Sequence, residues 1–360
     1  MSALAALSVF LAIVSGDAES PSTAVASTQS SPQIEAADPE DFAARSIVLN
    51  NGVRGRIISF KSRNPYHFRE WFKGDHGAVS ELTGQLFVPP GNTKRPLIVV
   101  VPGSGNIGPH HLEQARSLVD EGFATFVIDP FRGRGIHSTA ADQGQLSWAA
   151  SVHDVFSAID AVAGDPGIDP NRIGLLGSSR GGFAVISAMM AQVASHNGGK
   201  GYTIGAAFAG YPWCGLQFWR PRLLPGTSLE ILAGNRDDWV SVQQCQDLVH
   251  ALAQDGGSAR IKLLDGAGHA FDRAGLPPTR LPDISRTSSY PTVYMDDDGN
   301  FMDPGTGAID PEMTADFFLK QVVTGGFIEH GVTIGSRAGE AETYMAEMLR
   351  FFRRELGDTL

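Results

Sequence analysis

Ile173-Gly174-Leu175-Leu176-Gly177-Ser178-Ser179-Arg180-Gly181-Gly182 is an apolar run that breaks sharply into small residues, after which apolar residues resume with helical spacing. Such a stretch reads as a strand, a tight turn and a helix. The turn carries Gly-x-Ser-x-Gly, the nucleophile elbow, in which a serine on a strained backbone stands exposed above a sheet. Two adjacent serines compete for that position. With Ser179 at the apex, the residues two before and two after are Gly177 and Gly181, which let strand and helix backbones approach closely. With Ser178 at the apex they would be Leu176 and Arg180, so sterics select Ser179. An ordinary strand-to-helix turn is the alternative reading.

The chain around this stretch has 360 residues, 42% apolar and 19% charged, enough for a large core. One α/β domain of that length is expected, since α/β sheets often run this long without splitting. The formal net charge of −11, with no basic stripe, argues against nucleic acid as a partner. Residues 3–14 are apolar, too short to span a bilayer and of the length of a secretory-signal core, although the charged n-region is missing. Ala24-Val25-Ala26 supplies a small-x-small cleavage site. Residues 1–26 are therefore read as a signal peptide, 27–42 as a flexible linker and 43–360 as the folded domain. The expected location is periplasmic or secreted, or cytoplasmic if the first segment is not a signal, with no stable membrane span.

Working outward, Leu97 to Val101 is apolar at every position, as a strand buried on both faces requires. Ser46 to Leu49 and Gly55 to Phe60 read as paired edge strands, and Glu81 to Val88 as a third. Helices are expected over Pro109 to Glu121, Ser147 to Ala163, Ser241 to Ala253 and Glu340 to Leu356, where apolar residues recur at helical spacing. Strands are expected over Phe123 to Ile128, Tyr202 to Ala209, Leu229 to Ala233 and Ala259 to Leu264. This alternation predicts a mainly parallel central sheet with helices on both faces. Gly275 to Arg337 breaks the pattern as a loop-rich insertion with one helix-like piece, Pro311 to Val323. Its length and place suggest a cap over the site or a peripheral decoration.

A serine hydroxyl needs a base within hydrogen-bond reach and a third group to orient that base. Leu229 to Trp239 ends a strand in a Gly-x-x-Asp loop, which points to Asp237 as the orienting acid, with Asp238 as its rival. Of ten histidines, only His269 directly follows a strand downstream of that acid, so it is the expected general base. His250, His330, His110 and His111 sit where solvation or packing explains them, and His153 reads as a surface residue on a helix. Backbone donors for a developing oxyanion are expected at Arg180 and in the loop Pro102-Gly103-Ser104-Gly105-Asn106, at Ser104 ahead of Gly105. That loop lacks the Lys and Ser/Thr of a P-loop and the spacing of a dinucleotide fingerprint.

Gly177-Ser178-Ser179-Arg180-Gly181-Gly182, the loop Gly234 to Trp239 and Gly268-His269-Ala270-Phe271-Asp272 together resemble the dienelactone hydrolase branch of the α/β-hydrolases. Asp129-Pro130-Phe131, Arg134-Gly135-Ile136 and Tyr211-Pro212-Trp213-Cys214 fit the same branch. The resemblance spans about Glu81 to Leu356 outside the insertion. It implies an α/β-hydrolase fold and a small-molecule ester or lactone substrate, cleaved without metal or cofactor. One departure stands out: the namesake enzymes use a cysteine nucleophile, and this chain has Ser179. That favours a general serine esterase or lactonase acting through an acyl-enzyme. Alternatives are a peptidase of the prolyl-oligopeptidase kind or an acyl-amide hydrolase, and after them a non-catalytic binding protein on a hydrolase fold.

Cys214 and Cys245 can form a disulfide in an exported protein or remain two buried thiols. Tyr211, Trp213, Trp239 and Phe271 are candidates for an acyl pocket, or simply core. Arg132, Arg134 and Arg180 could favour a carboxylate-bearing ester, or form salt bridges.

Overall fold

In the computed structural model, residues 42–197, 201–303, 306–310, 313 and 326–357 are described, and all lie in one compact unit, Ala36–Leu360. Strands β1 (Arg56–Arg63), β2 (Val79–Phe87), β3 (Arg95–Val101), β4 (Ala124–Asp129), β5 (Ile168–Ser178), β6 (Ile204–Gly210), β8 (Ser228–Gly234) and β9 (Ser258–Leu264) make the central sheet. Their order is β1-β2-β4-β3-β5-β6-β8-β9. From β4 to β9 all neighbours are parallel, while β1 and β2 close one edge antiparallel. Seven helices are described: α1 (Phe68–Phe72), α2 (Pro109–Asp120), α3 (Trp148–Val162), α4 (Arg180–Ala188), α5 (Ala191–Ala194), α6 (Val242–Gln254) and α7 (Glu340–Leu356).

The all-apolar strand explains the layering. Leu97, Val99 and Val101 of β3 face a cluster with α3, α4 and α6, whereas Ile98 and Val100 face another with α2 and α7. Alternate side chains of one strand thus enter opposite cores, each buried Val or Ile contributing roughly 1.5–3 kcal/mol relative to exposure. On α7, Tyr344, Met348 and Phe352 are buried as their spacing predicts, and Phe351 joins them.

Three expectations change. Ser46 to Leu49 is not a strand: Val48 makes only an isolated bridge to Arg54, and the partner of β1 is β2. His153 is not a surface residue; it is half-buried on α3, with Nδ1 3.2 Å from Ser62 Oγ and 3.1 Å from Ser157 Oγ. The insertion is more ordered than its composition suggests. It contributes β10 (Thr279–Arg286), which pairs with β13 (Glu329–Ile334), and β11 (Val293–Met295), which lies between β12 (Phe301–Met302) and the short β7 (Leu216–Phe218). Apart from Met313, the helix expected over Pro311 to Val323 lies outside the described residues, as do residues 1–26 and nearly all of the linker.

Candidate active site

Four loops at the carboxyl ends of β3, β5, β8 and β9 bring the sequence-selected residues together. Ser179 follows β5 and opens α4 with φ 53° and ψ −117°, a conformation that costs a non-glycine residue about 1–3 kcal/mol. The flanking glycines are obligatory by contact. A Cβ at Gly177 would stand 2.3 Å from the Gly181 carbonyl oxygen, and one at Gly181 2.2 Å from that of Val101. Ser178 is buried and Ser179 is half-buried, in line with the steric choice of apex.

His269 Nε2 lies 3.0 Å from Ser179 Oγ, and its Nδ1 lies 2.7 Å from Asp237 Oδ2. A carboxylate can only accept, so Nδ1 carries the hydrogen; in the neutral ring Nε2 then accepts from the serine hydroxyl. The other oxygen of Asp237 accepts from the backbone N–H groups of Trp239 and Val240 at 2.9 and 3.0 Å, which fixes the carboxylate. Asp238 faces elsewhere: it accepts from Thr333 N–H at 2.7 Å and from Arg280 Nη1 at 3.0 Å. Of the two acids, Asp237 is the one whose carboxylate meets His269.

The loop after β3 packs against Ser179, since a Cβ on Gly103 would be 3.2 Å from that of Ser179. Gly103 C=O accepts from Asn106 N–H at 3.0 Å, so across the trans peptide the Ser104 N–H points the opposite way. Ser104 C=O accepts from Thr139 N–H and Ser138 Oγ at 2.9 and 2.8 Å. The Arg180 N–H is the first of α4 and has no intrahelical acceptor. Its side chain is not at a mouth but buried, donating to Gln143 Oε1 and C=O, Leu146 C=O and Ser151 Oγ, with the guanidinium 4.0 Å over the Trp148 ring. Burial pushes this guanidinium down to about 9 and Asp142 opposes the shift, so it stays charged at neutral pH. Gln143 Nε2 in turn donates to Ser104 Oγ at 3.0 Å. Gln143 thus joins the two expected oxyanion segments, a link that residues 37 and 39 positions apart do not announce in the sequence.

Arg132 and Arg134 follow the salt-bridge reading, to Asp129 and to the buried Asp154. Among the aromatics, Tyr211 and Trp239 flank the His269 ring at 4.7 and 4.8 Å between centroids. Trp213 stacks on Trp148, and Phe271 packs on Tyr344 in the core. Cys214 and Cys245 form a disulfide with both residues buried. Among the described residues, no group of three His, Cys, Asp or Glu side chains could hold a metal ion, and no helix is long and apolar enough to cross a membrane.

A second polar cluster lies behind Tyr211. Asp272 accepts from the Tyr211 hydroxyl at 2.6 Å and from Gln114 Nε2 at 2.9 Å. His111 Nδ1 accepts from Gly108 N–H, while its Nε2 and that of His110 are buried and make no hydrogen bond among the described residues. Burial first, then neighbouring charge (His110 for His111, Arg273 for His110), holds both imidazoles well below the ordinary histidine value. Below about pH 6.5 the unfolded chain binds protons that the folded one refuses, so stability is lost as pH falls, by up to about 1.4 kcal/mol per pH unit for each ring. Urea unfolding between pH 6.5 and 5.5 is expected to show this slope, and His111→Asn to remove about half of it; an unchanged slope in the variant would contradict the assignment.

The sheet order, the parallel crossovers and the elbow define an α/β-hydrolase. Residues 82–283 match the model of the dienelactone hydrolase family, and the chain belongs to that family. It is 27% identical over 235 residues to the uncharacterized peptidase YuxL of Bacillus subtilis (strain 168), covering 56% of this chain and 35% of that one. An uncharacterized 31.7 kDa protein of Escherichia coli, from the traX-finO intergenic region, is 36% identical over 115 residues, 32% of this chain and 39% of its own length. The chain therefore spans well under half the length of these curated relatives. Similar solved structures include the propionate-bound esterase Est2 of Thermogutta terrifontis, at 18% identity and TM-score 0.42 over 54% of this chain and 82% of that one. Another is the dienelactone hydrolase-like promiscuous phosphotriesterase P91 from metagenomic libraries, at 15% identity and TM-score 0.45 over 84% and 100%.

Proposed function

We propose that this protein hydrolyses carboxylic esters or lactones through an acyl-enzyme, with Ser179 as nucleophile, His269 as general base and Asp237 as orienting acid. The observation that carries this reading is the continuous relay of 3.0 and 2.7 Å bonds among three side chains from three separate loops. Ser179 Oγ attacks the ester carbonyl as its proton passes to His269 Nε2, and the imidazolium formed is balanced by Asp237. The N–H groups of Arg180 and Ser104 receive the oxyanion. His269 then protonates the departing alcohol, and water activated by the same ring releases the acid. Hydrolysis of p-nitrophenyl acetate and butyrate tests the reading, with aminoacyl-p-nitroanilides as the peptidase comparison. A fluorophosphonate probe that left Ser179 unlabelled would favour a non-catalytic binding protein.

Arg273 supports a more specific substrate preference. One nitrogen of its guanidinium lies 3.5 Å from where a Cβ on Gly105 would stand, beside the oxyanion loop, and its Nε makes no hydrogen bond among the described residues. An ester carrying a free carboxylate would pair with the terminal guanidinium nitrogen beside Gly105. Arg273→Gln is expected to raise KM for such an ester roughly tenfold or more, as loss of a charge-assisted bond implies, and to change KM for a neutral ester less than about twofold. Equal effects on both esters would remove the preference. Export of the mature chain is part of the same proposal, supported by the buried Cys214–Cys245 disulfide, since such bonds persist in oxidising compartments.

A further inference from the structure

We propose that the insertion acts as a splint for the relay, with Asp238 and the three residues Thr333-Ile334-Gly335 as its positioning residues. This inference rests on the assignment of Asp237 and His269 above. Thr333, at the end of β13, holds the acid loop: its N–H donates to Asp238 Oδ1 at 2.7 Å and its Oγ1 to Oδ2 at 3.0 Å. Two residues on, Gly335 N–H donates to the His269 carbonyl at 2.9 Å, and Ile334 forms a parallel bridge with His269. Consecutive residues of one strand end therefore grip both the residue after the acid and the base itself. Only Gly335, at φ 118°, takes a left-handed backbone here, and a Cβ on it would lie 2.5 Å from the Pro277 carbonyl oxygen.

Other anchors come from the same insertion. Thr287 donates through N–H and Oγ1 to the Trp239 carbonyl, both at 2.9 Å, and Ser288 Oγ donates to the Asp238 carbonyl at 3.1 Å. Arg280 on β10 pairs with Asp238 at 3.0 Å. The carboxylate of Asp237 reaches His269 across only 2.7 Å, and hydrogen-bond strength falls steeply when such a contact lengthens or tilts. A strand clipped to both loops sets their separation. Asp238 thus has a job distinct from that of its neighbour. It touches no reacting atom and acts through the loop that carries Asp237.

The test compares Asp238→Ala, Asp238→Asn and Thr333→Val in the full chain, assayed well below the melting temperature, with Ser179→Ala in parallel. Asp238→Ala is expected to lower kcat by about tenfold or more with KM within about twofold, because the relay and not the substrate pocket is loosened. Asp238→Asn, which keeps an acceptor for Thr333 N–H, is expected to recover most of that loss. Thr333→Val removes only the Oγ1 bond, retains the β-branched shape and folds even if Asp238→Ala does not; a severalfold fall in kcat is expected. A lowered melting temperature with unchanged kcat in these variants, or a rise confined to KM, overturns the splint. Turnover that persists in Ser179→Ala would instead overturn the relay itself, so the two failures are distinct.

Discussion

Ser179→Ala is expected to lower kcat/KM for p-nitrophenyl butyrate by about 10⁴-fold or more while leaving the fold intact. The hydroxyl removed is the one that His269 Nε2 meets at 3.0 Å, whereas Ser178, in the adjoining strand position, is buried. Alanine keeps the Cβ, so the backbone at φ 53° remains as strained as before and stability should hardly change. Ser179→Gly separates the two roles. It also removes the nucleophile, but relieves a conformation that only glycine adopts freely, and so should raise stability by roughly 1 kcal/mol. Asp237→Asn should approach the same loss of rate by another route: an amide can donate to Nδ1 and stabilise the wrong tautomer, leaving Nε2 unable to take the serine proton. Wild-type turnover in Ser179→Ala, with purity established by mass, would end the hydrolase reading. Activity retained only by Asp237→Asn would move the orienting role elsewhere.

These residues could be read from the chain because each is bound to a local pattern. Gly177 and Gly181 belong to one Gly-x-Ser-x-Gly pattern inside ten residues, although the carbonyl that Gly181 must clear is that of Val101 on β3, and the apolar run before them has only one way to be buried on both faces. Asp237 and His269 were legible for the same reason, one as an acid three positions after the Gly234 that ends β8, the other as the histidine in the loop after β9. The insertion was not. Strand β10 contains Arg280, Asp283 and Arg286, pairs among the described residues only with β13 and is nowhere fully buried, so neither alternation nor a continuous apolar run marks it. Strands of two or three residues such as β12 and β7 are shorter than any periodic signal. Gln143 and Thr333 escaped for a different reason: their partners lie dozens of positions away, and only the folded sheet brings Gln143 to Ser104 or Thr333 to Asp238. The arginines show the limit from the other side. Composition allowed Arg132, Arg134 and Arg180 to form a charged mouth, whereas the fold places an acid beside two of them and carbonyls around the third.

The disulfide carries the largest expected effect on stability. Cys214 and Cys245 are 31 positions apart, and closing a loop of that length in the unfolded chain costs it about 3–4 kcal/mol of entropy. The bond ties the segment after β6, which carries Tyr211 and Trp213, to the first turn of α6, just beyond the acid loop. Cys214→Ala/Cys245→Ala should therefore melt about 5 °C lower, given the unfolding entropy of a domain of this size. Both residues are almost wholly buried, at 2% and 1% exposure, so a reductant cannot reach the sulfurs without an opening of the fold. Reduction of the native protein should consequently be slow at 25 °C and accelerate with denaturant, at a rate set by opening rather than by reductant concentration once that is high. Activity of the double variant at 25 °C should remain close to wild type, since neither sulfur touches the relay. Two titratable thiols in the unfolded, unreduced protein, or a melting temperature indifferent to the double substitution, would show that Cys214 and Cys245 do not staple this part of the fold.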